Sequence, residues 1–179
     1  MKKKAIIAIV AVALVICCAV AGTIAWLTDV TPEVKNTFTY GDINIDLDET
    51  TGPEYKMIPG SDIDKDPFVT VKAGSEASWL FVKVTKSANF DEFMTYEIAD
   101  GWTALTGVDG VYYREVPAAA ADINYPVLKD DKVTVKEGVT KEQLTALTAD
   151  TYPTLTFKAY AVQKDNVASA ADAWAKVTP

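Results

Sequence analysis

Two runs of carboxylates have a spacing that could do chemistry. Asp42, Asn44, Asp46 and Asp48 alternate with Ile43, Ile45 and Leu47, while Asp62, Asp64 and Asp66 repeat a D-x-D-x-D spacing. Carboxylate oxygens are hard ligands, so either run could hold calcium. The second opens like a calcium loop, but the glycine that should follow is missing and Ala73 stands at the twelfth position, where glutamate is needed. The first has a plainer reading as the solvent face of an exposed strand, where like charges discourage unwanted edge pairing. Calcium at Asp42, Asp46, Asp62, Asp64 and Asp66 is the one cofactor the sequence offers, and no other is expected.

The chain contains no histidine, and Cys17 and Cys18 are its only cysteines. Ser-His-Asp and Cys-His catalysis are therefore excluded, and so are the usual zinc ligands. No catalytic residue is expected. Carboxylate pairs could still hydrolyse a glycosidic bond, and a Ser-Lys arrangement remains formally open, but no spacing points to either. Trp102, Tyr112, Tyr113 and Tyr125 could form a sugar-stacking platform; side chains of this kind are more often the core or rim of a sandwich.

The elements that must position these residues read as short strands between turns. Phe38 to Leu47 alternates apolar and polar, and Gly41 shifts the phase as a bulge would. Turns are marked by Thr51-Gly52-Pro53 and Pro59-Gly60, and Phe68 to Val71 is a strand entered through Pro67. Ser78 to Thr85 loads one face with Leu80, Val82 and Val84 and the other with Trp79 and Phe81, which predicts a central strand. Val111 to Val116, Val133 to Val135 and Thr154 to Gln163 are the other clear strands. Thr140 to Gln143 has the form of a capping box ahead of Leu144 and Leu147. Ala168 to Lys176 predicts a second short helix that docks through Trp174. The expected fold is all-β, a jelly-roll-type sandwich of residues 40–179 with one or two short helices.

The first residues place this domain outside the cell. Lys2, Lys3 and Lys4 precede a charge-free run from Ala5 to Thr28. As a helix, Ala5 to Ala21 spans roughly 25 Å, short of a hydrocarbon core about 30 Å thick. Thr23 and Ala25 are small residues at the −3 and −1 positions for a cut before Trp26, so residues 1–25 read as a helical export signal. The other reading is an uncleaved anchor, since the run including Leu27 is long enough to span. Lipidation is not expected, because Ile16 and Cys17 rather than small residues precede the cysteines. After cleavage no thiol remains, and the domain must hold together by packing alone. Loss of three lysines leaves 14 Lys and Arg against 25 Asp and Glu, a net charge of −11. Such a domain repels nucleic acid and anionic lipid. No second apolar span follows, so retention at a surface is expected to depend on partners or on an uncleaved N-terminus.

At GTIAWLTD and NTFTYGDINIDLDE the sequence resembles the TasA/camelysin family of secreted Gram-positive matrix proteins. The matching positions are Gly22, Thr23, Ala25, Asp29, Phe38, Gly41, Ile45 and Leu47. A second stretch with Pro59, Gly60, Lys65 and Pro67 looks like the family's strand-turn-strand, and FKAYAVQKDN with Trp174 has the look of its C-terminal part. The resemblance implies processing by a SipW-type signal peptidase, a jelly-roll fold, and homopolymerisation into biofilm fibres by donation of an N-terminal strand, with an accessory matrix protein as a further partner. Camelysin-like relatives are surface peptidases, which the missing histidine counts against here. A monomeric ligand- or carbohydrate-binding sandwich is the other alternative.

Residues 26–39 suit donation. An extended Trp26 to Tyr40 would carry Trp26, Val30, Pro32, Val34, Phe38 and Tyr40 on one face, and Asp29, Glu33 and Lys35 on the other, with Leu27 the exception. The expected donor contacts are Trp26, Leu27, Val30, Val34 and Phe38. Two further readings stay open: a first strand within its own subunit, and a short helix capped by Thr31, since Trp26, Val30, Val34 and Phe38 are also four apart.

Overall fold

A computed structural model describes residues 42–52 and 55–177. The export signal, the cut at Thr23, Ala25 and Trp26, the candidate donor segment 26–39 and the bend at Gly41 lie outside the described residues. In chain order the elements are β1 (Ile45–Asp48), β2 (Asp62–Asp64), β3 (Phe68–Val71), β4 (Ser78–Lys86), α1 (Phe90–Phe93), β5 (Met94–Ile98), β6 (Thr103–Ala104), β7 (Val111–Val116), β8 (Ile123–Pro126), β9 (Leu128–Val135), α2 (Lys141–Thr145), β10 (Leu155–Gln163) and α3 (Ala170–Val177). The described chain is thus mostly β, with three short helices. None of its helices is long and apolar enough to cross a membrane.

Every strand pair is antiparallel. The sheets run β1-β3-β8, β2-β9-β5 and β10-β4-β7-β6. Most of this architecture is one long ribbon. Asp62 pairs with Thr134, Phe68 with Pro126, Val71 with Ile123, Ser78 with Val116 and Lys83 with Val111. The ribbon bends where Lys65 N donates to Asp131 O at 2.7 Å and Val127 N to Pro67 O at 2.9 Å. It turns from one sheet into the next where Gly74 N donates to Ala119 O and Ala119 N to Ser75 O, at 2.7 and 2.8 Å. β5 lies beside β9, and β10 beside β4.

β4 has the two buried faces that its sequence requires. Leu80, Val82 and Val84 meet Val69 and Val71 of β3, with Val116, Ala119 and Val127, in the core between facing sheets. Trp79 and Phe81 point the other way, onto Ala170, Ala173 and Trp174 of α3. The Trp174 ring lies 5.3 Å from Phe81 and 5.3 Å, at 90°, from Tyr160. Ser169 Oγ accepts from Asp172 N at 3.2 Å, which starts α3 where Trp174 can dock. A third cluster joins Ile63, Phe90, Phe93, Leu128, Val133 and Val135 beneath β9 and α1.

Thr140 and Gln143 form the expected capping box of α2, with both reciprocal bonds present. β5, β6, β8 and α1 were not expected from the sequence. They carry weak local signals and are held by long-range partners: β5 by β9, β8 by β3 and β6 by β7.

Candidate functional site

Asp46 and Asp48 lie on β1 and Asp62 and Asp64 on β2, whereas Asp42, Asn44 and Asp66 lie outside the strands. Asp62–Asp64 is a strand, not the open loop that a calcium site would need: Ile63 points into the core and the flanking aspartates point out. Asp62 accepts from Thr134 Oγ1 at 2.7 Å and from Lys132 Nζ at 3.3 Å. Those bonds, the Thr134 hydroxyl foremost, hold its carboxyl below the usual range. Asp66 faces a different neighbour. It accepts from the Thr50 hydroxyl, and from Thr50 N at 3.0 Å and Thr51 N at 2.9 Å, which depresses its titration further. Among the described residues Asp64 has no such partner, and the three aspartates do not converge. On β1, Asp46 pairs with Lys72 at 3.0 Å, and the same lysine reaches Asp122 at 3.4 Å. Asp42 Oδ1 accepts from Ile43 N. Among the described residues no group of three or more His, Cys, Asp or Glu side chains is placed to hold a metal ion.

The four aromatics do not make one platform, because successive residues of a strand face opposite ways. Tyr112 lies on the inner face of β7, whereas Tyr113 lies outside against Trp79 and Phe81. Tyr96 packs against the same core, and burial foremost pushes its hydroxyl up to about 12. Trp102 and Tyr125 instead clasp Arg114, with its guanidinium carbon 5.4 and 4.3 Å from their ring centres. Trp102 Nε1 donates to Pro126 O at 2.8 Å. The guanidinium lies against Gly101, where a Cβ would meet Arg114 Nη2 at 3.0 Å.

The sheet edges differ from one side to the other. β5 and β6 border one side of the molecule. β6 has two residues, and β5 carries a register shift between Tyr96 and Ile98. Glu97 on β5 is tied to Lys129 at 2.7 Å. The other side is bordered by β1 and β10, whose inner residues Ile45, Leu47, Ala159 and Ala161 share one core. β10 has nine residues, and among the described strands only β4 pairs with it. Its inward residues Leu155, Phe157, Ala159 and Ala161 are half-buried, although Leu80 and Val82 beside them on β4 are 0% exposed. An unpaired edge of this length with incompletely covered apolar side chains is a template for strand addition. The sequence marked β10 as a strand; nothing local marked it as an edge.

Comparison with protein-family models, curated proteins and solved structures found no match.

Proposed function

We propose that this chain is a secreted, non-enzymatic structural subunit of an extracellular biofilm-matrix fibre of the TasA/camelysin type. In this reading its domain is a jelly-roll-type sandwich, and subunits polymerise when residues 26–39 of one copy add as a strand to the next. The long one-sided strand β10 is the observation that carries the reading. A nine-residue edge offers backbone donors and acceptors along its length, each added hydrogen bond contributing about 1 kcal/mol net. Its half-buried inner side chains would be covered by the same event. The ribbon from 62–86 and 111–135, divided between facing sheets, supports the jelly-roll reading.

Deleting residues 26–39 from the processed chain tests this. The truncated domain is expected to remain folded and monomeric, while the processed chain, residues 26–179, forms regular fibres by negative-stain electron microscopy. Equal assembly of the truncated protein would rule out strand donation.

A further inference from the structure

We propose that β10 is the acceptor edge, and that Lys158 together with Lys83 selects an acidic strand for it. This inference rests on the strand-donation reading and adds which edge receives the strand and how it is chosen.

Lys158 and Lys83 lie directly opposite one another on the outer face of the β10–β4 pair. Like charges in that relation repel. Both are exposed, and neither has a carboxylate partner among the described residues, although seven other ion pairs are present. Lys158 Nζ lies over the Tyr160 ring, 5.2 Å from its centre, and no acidic group among the described residues offsets the charge of the pair. Lys158 also lies on the free edge itself. Two β10 edges that approached each other would bring lysines together, so the same residue that blocks self-pairing leaves the edge open to an acidic strand.

The candidate donor has the complementary pattern. If extended, residues 26–39 would place Trp26, Val30, Val34 and Phe38 on one face and Asp29, Glu33 and Lys35 on the other, with the two acids N-terminal to the lysine. The inner face of β10 is apolar, with Leu155, Phe157, Ala159 and Ala161 against the core; Lys158 is on the outer face. A strand that lays its apolar face inward therefore brings Asp29 and Glu33 to the side where Lys158 and Lys83 stand. The neighbouring edge β1 is only four residues long; Asp46 on it is paired with Lys72, and Asp48 points outward, where it repels the same strand.

Charge exchange in the processed chain, residues 26–179, tests the assignment. K83E/K158E and D29K/E33K are each expected to slow fibre formation at least about tenfold, read by sedimentation and electron microscopy, as like charges oppose docking. An equimolar mixture of the two is expected to assemble, because each donor then meets an oppositely charged acceptor, and the quadruple variant is expected to assemble alone. Lys158→Gln, which removes charge without adding repulsion, should give a smaller loss. Unchanged melting of the monomers confirms that these exposed substitutions leave the fold intact. If K83E/K158E assembles like the unaltered chain while deletion of 26–39 stops assembly, the acceptor assignment is wrong and strand donation stands. If the deletion has no effect, both fail together.

Discussion

The two sides of this molecule are finished differently. Where β5 and β6 end, the chain itself crosses from one sheet to the other through Asp100, Gly101 and Trp102. The crossing is pinned: Trp102 takes the carbonyl of Pro126, a residue with no N–H to offer, and stacks on Arg114. A two-residue strand and a bulged one leave little regular edge to copy. On the side of β1 and β10 the described residues make no crossing, β10 has no bulge, and among the described residues a nine-residue edge is left with its inner side chains half-covered. The same core supports both sides. On the proposed reading, edge protection comes from chain path and local irregularity on one side, and on the other from charge, Lys158 on β10 and Asp48 on β1. Charge is the device that a partner of opposite sign can reverse.

Predictions that sharpen or break this contrast follow from the largest effect downward. Phe81→Ala removes a fully buried ring beneath the β10–β4 sheet and should cost about 3–5 kcal/mol in denaturant unfolding. Lys158→Gln, on the same sheet, should leave that midpoint unchanged. If the lysine change destabilised as much as the core change, the β10 edge would be a packed surface and not a free one.

Gly110→Ala should cost about 1–3 kcal/mol or more. Gly110 has φ +70 and closes the turn that feeds β7, and a Cβ there would lie 2.3 Å from Val84 O. Chemical denaturation of the variant measures it.

Trp102→Ala strips the crossing of its bond to Pro126 and its stack on Arg114, and should lower stability by about 1–3 kcal/mol. It should also add irregular aggregates, detected by light scattering, by unpinning the protected side. Regular fibres unaccompanied by aggregates would show that the short and bulged strands suffice without it.

Acid should act on the ion pairs and loop contacts. The Thr50 hydroxyl on Asp66, the Thr134 hydroxyl on Asp62, Lys129 on Glu97 and the Ala73 N–H on Asp122 each lower the carboxyl's titration in the folded state. Their stabilisation is therefore complete above the ordinary carboxylate value of about 4, and is lost as pH falls through the lowered values. Melting temperature should hold from these groups between neutral pH and about pH 5, then drop below about pH 4. A fall that begins near neutrality would mean other groups govern it.

The smallest effect is expected at Thr140→Ala, which removes half of the α2 capping box and should cost about 1 kcal/mol in thermal unfolding. Assembly should be indifferent to it.

Much of this fold is legible because its signals are local. Alternation places Leu80, Val82 and Val84 against Trp79 and Phe81 on opposite faces of β4, and the strand is central as that double loading requires. Thr140 and Gln143 announce a helix start, and Trp174 announces a docking side chain, because capping and a lone aromatic in an alanine-rich run depend on a few neighbouring residues. The D-x-D-x-D run misleads for the same reason. Its spacing fits a loop, but Ile63 between the aspartates is drawn into the core and pulls Asp62 and Asp64 into a strand beside β9. The aromatic quartet fails as a platform because Tyr112 and Tyr113 are adjacent on one strand.

By itself the sequence determined the mostly β character of the domain, the main strands, the α2 cap and the large acidic excess, all of which follow from residue type and period. Only the tertiary structure decided which strands are neighbours. It set Lys158 opposite Lys83 from 75 positions away, gave Trp102 its acceptor on Pro126, and left β10 with one partner among the described strands. Register and edge status depend on which distant segment wins the backbone hydrogen bonds and the shared core, and no local pattern encodes that competition.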